Sequence, residues 1–436
     1  MTPTTEQQAR AARLCSFLAS SPVNFFAVDT VKRMLDGAGF AELNLAEQWT
    51  LEHDKPYYVT VNGSAIFAFI TPSGGAAAPL RVVAAHSDSP CFRLKPHCEM
   101  AVEGAVKLNT EVYGGPILYT WFDRPLSLAG RVVLRSDNPI YPEHRLMRVD
   151  RPLMVIPHLA IHFNRNVNDG NKLSAQRDML PLVALSDENP KDLIRNLISR
   201  ELDVEADRVL DYDLSLYSTE APQIVGTDSS MISAGRLDDL SMVAAATEAF
   251  LAAYSDGIPS TTTRVLAIFD NEETGSLTKQ GAGSTVFEHI MRRMVYALGG
   301  NDNDFIRSVA AGFLVSADNA HGFHPNYAEK YDPTNHPVLG GGPCIKINAR
   351  CKYMTDADSA AVFAEVCRAA DVPFQYFVNH SDSPGGSTLG NILTGSLPLR
   401  GVDMGAALWA MHSVCETASV ADHSYCIDAF TTFYGL

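Results

Sequence analysis

The chain has 436 residues, 46% of them hydrophobic and 19% charged, which is enough apolar material for more than one core. Its formal net charge is −16, and no basic patch interrupts it, so neither a nucleic acid nor an anionic membrane is expected as a partner. The opening residues, MTPTTEQQARAARLCSFLASS, mix charges with apolar positions at helical spacing and lack the apolar centre of a secretory signal. No apolar run reaches the roughly 18 residues of a membrane span. The 8 cysteines are scattered with no CxxC pair, so reduced thiols and a cytoplasmic location are expected.

Two helices come first, over roughly residues 6–20 and 23–35, the second stopped at Gly37-Ala38-Gly39. YYVTVNGSAIFAFI alternates around Asn62-Gly63 and predicts a hairpin. RVVAAHSDSP reads as a buried strand running out into a loop. Over about 96–232 short β-rich stretches dominate, among them AVKLNTEVYGG, GRVVL and RPLMVIPHLAIHF, with few helical patterns. Beyond Ser233 strands and helices alternate: DLSMVAAATEAFLAAY (helix), TRVLAIFD (strand), STVFEHIMRRMVYAL (helix), GFLVSAD and CIKINA (strands), SAAVFAEVCRAA (helix) and FQYFVN (strand). The alternation predicts an α/β fold with a sheet flanked by helices. Residues 1–95 and 233–436 would form one domain, interrupted by a β-rich domain of residues 96–232.

Five strand-like runs end in potential metal ligands, as ligand sites of α/β sheets do. They are His86 and Asp88 in AAHSDSP; Asp238 and Asp239 in GRLDDL; Glu272 and Glu273 in FDNEETG; Asp318, His321 and His324 in SADNAHGFH; and His412 in AMHSVCE. Each alone has an ordinary reading as a hydrogen-bonded loop histidine, an N-cap aspartate or a solvated acid pair. Together they offer imidazoles, a bridging carboxylate and a free base, the inventory of a two-metal hydrolytic site. Glu272 and Glu273 are neighbours at a strand end and diverge, so one can ligate while the other stays free. In PHLAIHFNRNVN, alternation places His158 and His162 on one face of a strand. Lys346, on a core strand, needs a partner, either an acidic substrate side chain or a structural carboxylate. SDSPGGSTLG resembles an anion-cradling glycine loop before a helix but lacks the lysine of a P-loop.

In order along the chain, SSPVNFFAV, AAHSDSPCFRLKP, YTWFDRPLSLAGRV, RPLMVIPHLAIHFNRNVN, GRLDDL, FDNEETGS, SADNAHGFHPNY, CIKINA, SDSPGGSTLG and AMHSVCE resemble the M18 family of metallo-aminopeptidases, the aspartyl aminopeptidases. The resemblance implies a mixed sheet of the di-zinc exopeptidase type with an inserted dimerisation domain. It implies one zinc on His86, Asp238 and Asp318 and a second on Asp238, Glu273 and His412, with Asp238 bridging. Manganese or cobalt would also suit such ligands. Asp88 would orient His86, and Glu272 would be the general base toward a water activated at the metals. His162 would act in trans, on the oxyanion in a neighbouring subunit. His321 and His324 would contact substrate, and Lys346 and Tyr353 would line the pocket for its first side chain. A non-proline cis peptide is expected at Asp238-Asp239.

The implied activity is removal of N-terminal residues, preferably Asp or Glu, from peptides with a free N-terminus. The implied assembly is a homo-oligomer, a dodecamer. The alternatives are a broader aminopeptidase, a related di-zinc amide hydrolase, and a non-catalytic assembly protein of the same fold. The sequence departs from the family at Cys415, where HSIRE has an arginine, at Gly385-Gly386 in place of Cys-Gly, and at Cys351-Lys352 in place of Gln-Arg.

Overall fold

Thr263–Phe269 is a strand with every residue buried, as expected of a strand covered on both faces. It lies at the middle of the computed structural model, which describes residues 2–186, 190–255, 257, 259–383 and 385–436. Among the described residues the central mixed sheet has nine strands. Their order is Ala41–Glu42, Pro56–Val61, Ala65–Ile70, Thr263–Phe269, Leu80–His86, Phe313–Ala317, Gly401–Gly405, Cys344–Ile347 and Gln375–Val378. Four neighbours, from Thr263–Phe269 to Gly401–Gly405, run parallel, with Phe269 opposite His86. The hairpin turns at Asn62 and Gly63, both at positive φ.

Helices cover both faces. On one side Thr5–Ser20, Asn24–Gly37, Leu237–Ser255, Ala357–Ala369 and Val420–Gly435 pack Leu14, Val31, Leu240, Phe250, Phe363 and Phe430 against the sheet. On the other, Val286–Ala297, Asp302–Ala310 and Leu389–Leu393 contribute Phe287, Ile290, Phe305 and Leu389. No helix among the described residues is long and apolar enough to cross a membrane. All eight cysteines are free thiols.

A second sheet, of six strands, is built from one continuous stretch, Cys91–Val102 through Val209–Ser218. Its core is closed by Ile194, Leu197 and Ile198 of the ten-residue helix Leu193–Leu202, in a region whose sequence showed few helical patterns. This sheet spans Cys91 to Ser218, beside the expected insertion of residues 96–232. Gln223–Val225 and Met231–Ala234 belong instead to a third sheet, with Glu416–Ser419, Ala407–Trp409 and Ala320–His321. Antiparallel pairing of Met231–Ala234 with Glu416–Ser419 draws them away from the inserted sheet.

One local expectation fails. PHLAIHFNRNVN is not a strand: ladder contacts stop at Ile156, and the Phe163 and Asn164 amides bond locally to the Ala160 and Ile161 carbonyls. Pro157 removes the next backbone donor, and a turn follows. His158 packs edge-on to Phe122, and His162 is exposed. The glycine loop, whose Pro384 lies outside the described residues, leads into a helix of only five residues, Leu389–Leu393. Thr388 before it donates to Asp403 at 2.6 Å, which ties the segment to the sheet.

Candidate metal centre

Leu80–His86, Thr263–Phe269 and Phe313–Ala317 all finish at one edge of the central sheet. His86 ends the first strand, Glu272 and Glu273 open the 3₁₀ turn Glu272–Thr274 after the second, and Asp318 follows the third. Asp238 arrives from the third sheet. It lies at the start of the helix Leu237–Ser255, where Asp238 and Asp239 have non-helical angles and share a cis peptide bond. His412, at φ +69, sits in the turn between Ala407–Trp409 and Glu416–Ser419.

Asp238 faces a different histidine with each oxygen. Oδ1 is 3.6 Å from His86 Nε2, and Oδ2 is 3.5 Å from His412 Nε2, which also lies 3.3 Å from Glu273 Oε1. Among the described residues, three sets of side chains bring donors within 4.8 Å of one another: His86, Asp238, Asp239 and Asp318; Asp238, Glu273 and His412; and His86, Glu272 and Glu273. All the donors are nitrogen or oxygen. The Oδ1 atoms of Asp238 and Asp239 are buried with no hydrogen-bond partner among the described residues. Orphaned buried carboxylate oxygens are costly, and a cation would satisfy them. The residues present therefore fit divalent ions with mixed imidazole and carboxylate ligands.

Asp88 organises this edge. Its Oδ1 lies 3.3 Å from His86 Nδ1 and accepts from the Glu272 amide at 3.1 Å. Its Oδ2 accepts from the Glu273 amide at 3.1 Å and from the Tyr113 hydroxyl at 2.6 Å. One buried carboxylate thus faces the histidine ring and fixes the acidic turn. Asn271 opens that turn at φ +62, a conformation asparagine tolerates. Its side chain donates to Tyr113 and accepts from Thr278 and Gln280, each at 2.8 Å.

Glu416, Tyr113 and Asn271 received no role from the sequence. Glu416 Oε1 accepts from the His412 amide at 2.7 Å and Oε2 from the Asp238 amide at 3.1 Å, which ties two donors of the site together. It stands four residues after His412 in AMHSVCE, and that proximity was the available signal. Tyr113 is one of several alternating strand residues and carried no signal. Cys415, in place of the family arginine, lies 3.2 Å from the Ser233 hydroxyl.

Burial penalises every charge here, and the neighbours decide the outcome. Burial pulls the His86 imidazolium down, but Asp239 and Asp88 outweigh it and the group stands well above its usual range. His412 follows the same pattern, with Asp238 and Glu273 raising it to about 11. Burial pushes the Asp88 carboxyl up, and hydrogen bonds from His86, Tyr113 and the Glu273 amide hold it below normal. Burial raises Glu272 to about 8, opposed by His86 and reinforced by Asp318, Glu273 and Asp88. Dications in the site would pull Glu272 back toward its ionised form. Divalent ions would bind neutral imidazole, so their entry would expel the histidine protons and their affinity would fall as pH falls.

Lys346, only 3% exposed on Cys344–Ile347, has its ammonium 3.1 Å from Asp318 Oδ1 and 5.7 Å from the Tyr353 ring centre. Of the two expected partners, the structure shows a carboxylate of the chain. Burial pulls the ammonium down, but Asp318 and other neighbours outweigh it and keep it charged. His321 and His324 line a cavity of about 180 Å³ with Tyr331, Trp409, Met411 and His412. The His321 ring is open to this cavity yet surrounded by protein, and burial and Lys346 both favour its neutral form. Among the described residues, His162 joins none of the donor sets.

Imidazole and carboxylate donors clustered at the carboxyl edge of a mixed α/β sheet define a metal-dependent hydrolase. A family model described as aminopeptidase I zinc metalloprotease (M18) matches residues 17–434. The probable M18 family aminopeptidase 2 of Clostridium novyi (strain NT) is 46% identical over 430 residues, 98% of each chain. The protein of the same description from Pseudomonas savastanoi pv. phaseolicola is 40% identical over 429 residues, 97% of each. Among solved structures, Ape4 in its complex with Nbr1 matches with a TM-score of 0.94 and 32% identity, over 98% of this chain and 86% of that one. The M18 aminopeptidase of Thermotoga maritima matches with a TM-score of 0.87 and 25% identity, over 99% and 97%. The chain belongs to the M18 family and is a metallo-aminopeptidase.

Proposed function

We propose that this aminopeptidase holds two zinc ions, one on His86, Asp238 and Asp318 and the other on Asp238, Glu273 and His412. The observation that carries this reading is Asp238, which presents one oxygen to each histidine. Zinc there would supply a Lewis acid for the scissile carbonyl and lower the pKa of the attacking water, and manganese or cobalt suits the same donors. Glu272 takes the proton of the attacking water on its carboxylate and returns it to the leaving amine nitrogen. Asp88 holds the His86 ring and the Glu272–Thr274 turn in register. His321 and His324 contact the substrate from the cavity beside His412.

For the first side chain of the peptide, the buried ammonium of Lys346 beside Tyr353 supports a preference for Asp or Glu. A second reading, broader specificity, is favoured by the existing pairing of Lys346 with Asp318. The exposed turn carrying Leu159, Ile161 and Phe163, the last 82% exposed, supports self-association that would deliver His162 to a neighbouring site. Yeast mApe1, a fold match at 24% identity and a TM-score of 0.86, is solved as a dodecamer.

One panel tests these readings: kcat/KM on Asp-, Glu- and Leu-anilides and on N-acetylated amino acids, with zinc, manganese and cobalt, for wild type, Lys346→Ala and His162→Ala. Acidic substrates should lead, and Lys346→Ala should erase roughly 10- to 100-fold of that lead, the worth of a charged hydrogen bond. A flat wild-type panel selects broader specificity, and cleavage of the acetylated substrates selects an amide hydrolase. His162→Ala should lose turnover and keep its zinc; loss of zinc refutes the role in trans.

A further inference from the structure

Tyr113 ends a strand of the inserted sheet, Ala105–Tyr113, and the three successive residues 113–115 lie against the metal centre. The Tyr113 hydroxyl donates to Asp88 Oδ2 at 2.6 Å and accepts from Asn271 Nδ2 at 2.8 Å. Its ring is clamped from behind by the Arg93 guanidinium, 4.3 Å from the ring centre. Gly114, at φ +69, passes so close to the acidic turn that a Cβ there would stand 3.1 Å from the Glu273 Cβ. The Gly115 carbonyl lies 3.0 Å from His412 Nδ1, which leaves Nε2 to face Asp238 and Glu273. Two residues on, the Ile117 amide donates to the His412 carbonyl at 2.9 Å.

A carbonyl on one ring nitrogen fixes the tautomer and orientation of a ligating imidazole. A hydroxyl on an orienting carboxylate fixes that carboxylate in turn. We propose that residues 113–115 form a strap through which the inserted sheet sets the geometry of the metal centre. Tyr113 acts through Asp88 on His86 and on the Glu272–Glu273 pair, and Gly115 acts on His412. Gly114 is the residue that lets the backbone pass between them. These are positioning residues, and none needs to touch the substrate. The inserted sheet is thereby coupled to metal affinity, in addition to any part it plays in assembly. The inference rests on the metal-site reading above.

The test is zinc affinity by chelator competition on the full chain, for wild type, Tyr113→Phe, Gly114→Ala and Tyr212→Phe. Tyr212 is a control from the same sheet, its hydroxyl 3.8 Å from Cys98 Sγ and remote from the donors. Tyr113→Phe and Gly114→Ala should each bind zinc roughly 10- to 100-fold more weakly, the usual effect of losing an outer partner of a metal ligand. Their near-UV spectra should remain native. At saturating zinc, kcat should fall with KM near wild type. Tyr212→Phe should bind zinc as wild type does. If Tyr113→Phe does not fold, Gly114→Ala decides by the same readout. Wild-type zinc affinity in the folded variants overturns the strap. Absence of zinc binding in the wild type overturns the metal-site reading and the strap together, a result the variants cannot mimic.

Discussion

Glu272→Gln is expected to lower kcat by about 10²- to 10⁴-fold, the contribution of a general base, while zinc content stays at the wild-type level. Glutamine keeps the shape of the side chain, and the residue 272 amide still donates to Asp88. The donors that meet across His412, Asp238 and Glu273, are untouched. What disappears is the carboxylate able to hold a proton between attack and departure of the amine. Steady-state kinetics beside metal analysis of the same sample provides the check. Full activity in this variant would remove Glu272 from the chemistry, and loss of zinc would make it a ligand instead.

Asp238→Asn is expected to abolish activity by emptying the site. Zinc affinity should fall by more than the roughly 10- to 100-fold attributed to outer partners, because this residue belongs to two donor sets at once. An amide brings no charge and only one acceptor oxygen, so it cannot serve both histidines. The pH dependence carries a second signature. In the wild type His86 and His412 stand above their ordinary range, so zinc must displace protons and its affinity drops toward acid pH. Without the Asp238 charge, His412 loses a carboxylate that holds its proton, and the dependence becomes shallower. Chelator competition at acid and alkaline pH measures both effects. Zinc binding like that of the wild type at either pH would refute a bridging Asp238.

The sheet was legible because its strands are continuous apolar runs such as TRVLAIF and GFLVSA, a pattern that local sequence carries by itself. The edge of the site was legible for a related reason. Parallel strands share a direction, so acids and histidines at their ends must gather. What sequence did not carry was partnership between distant segments. Lys346 could be read as needing a carboxylate, but only the register of Cys344–Ile347 beside Gly401–Gly405 and Phe313–Ala317 gives it Asp318. Tyr113 alternates like its neighbours, and its hydroxyl matters only because Asp88 and Asn271 meet there. The turn carrying His162 shows the opposite failure: a convincing alternation that found no strand to pair with beyond Ile156.

The inserted sheet is drawn from one unbroken stretch, whereas the central sheet joins Leu80–His86 to Thr263–Phe269 across it. That connectivity ranks the two halves by the time at which they can form. During synthesis the insertion has all its strands in hand while its host still lacks most of the central ones. The third sheet closes last, since Glu416–Ser419 must reach back to Met231–Ala234. Every long-range closure carries an entropy cost that local pairing avoids. Residues 113–115 are therefore synthesised long before His412, the histidine that the Gly115 carbonyl faces, so the inserted sheet can be complete before the later donors exist.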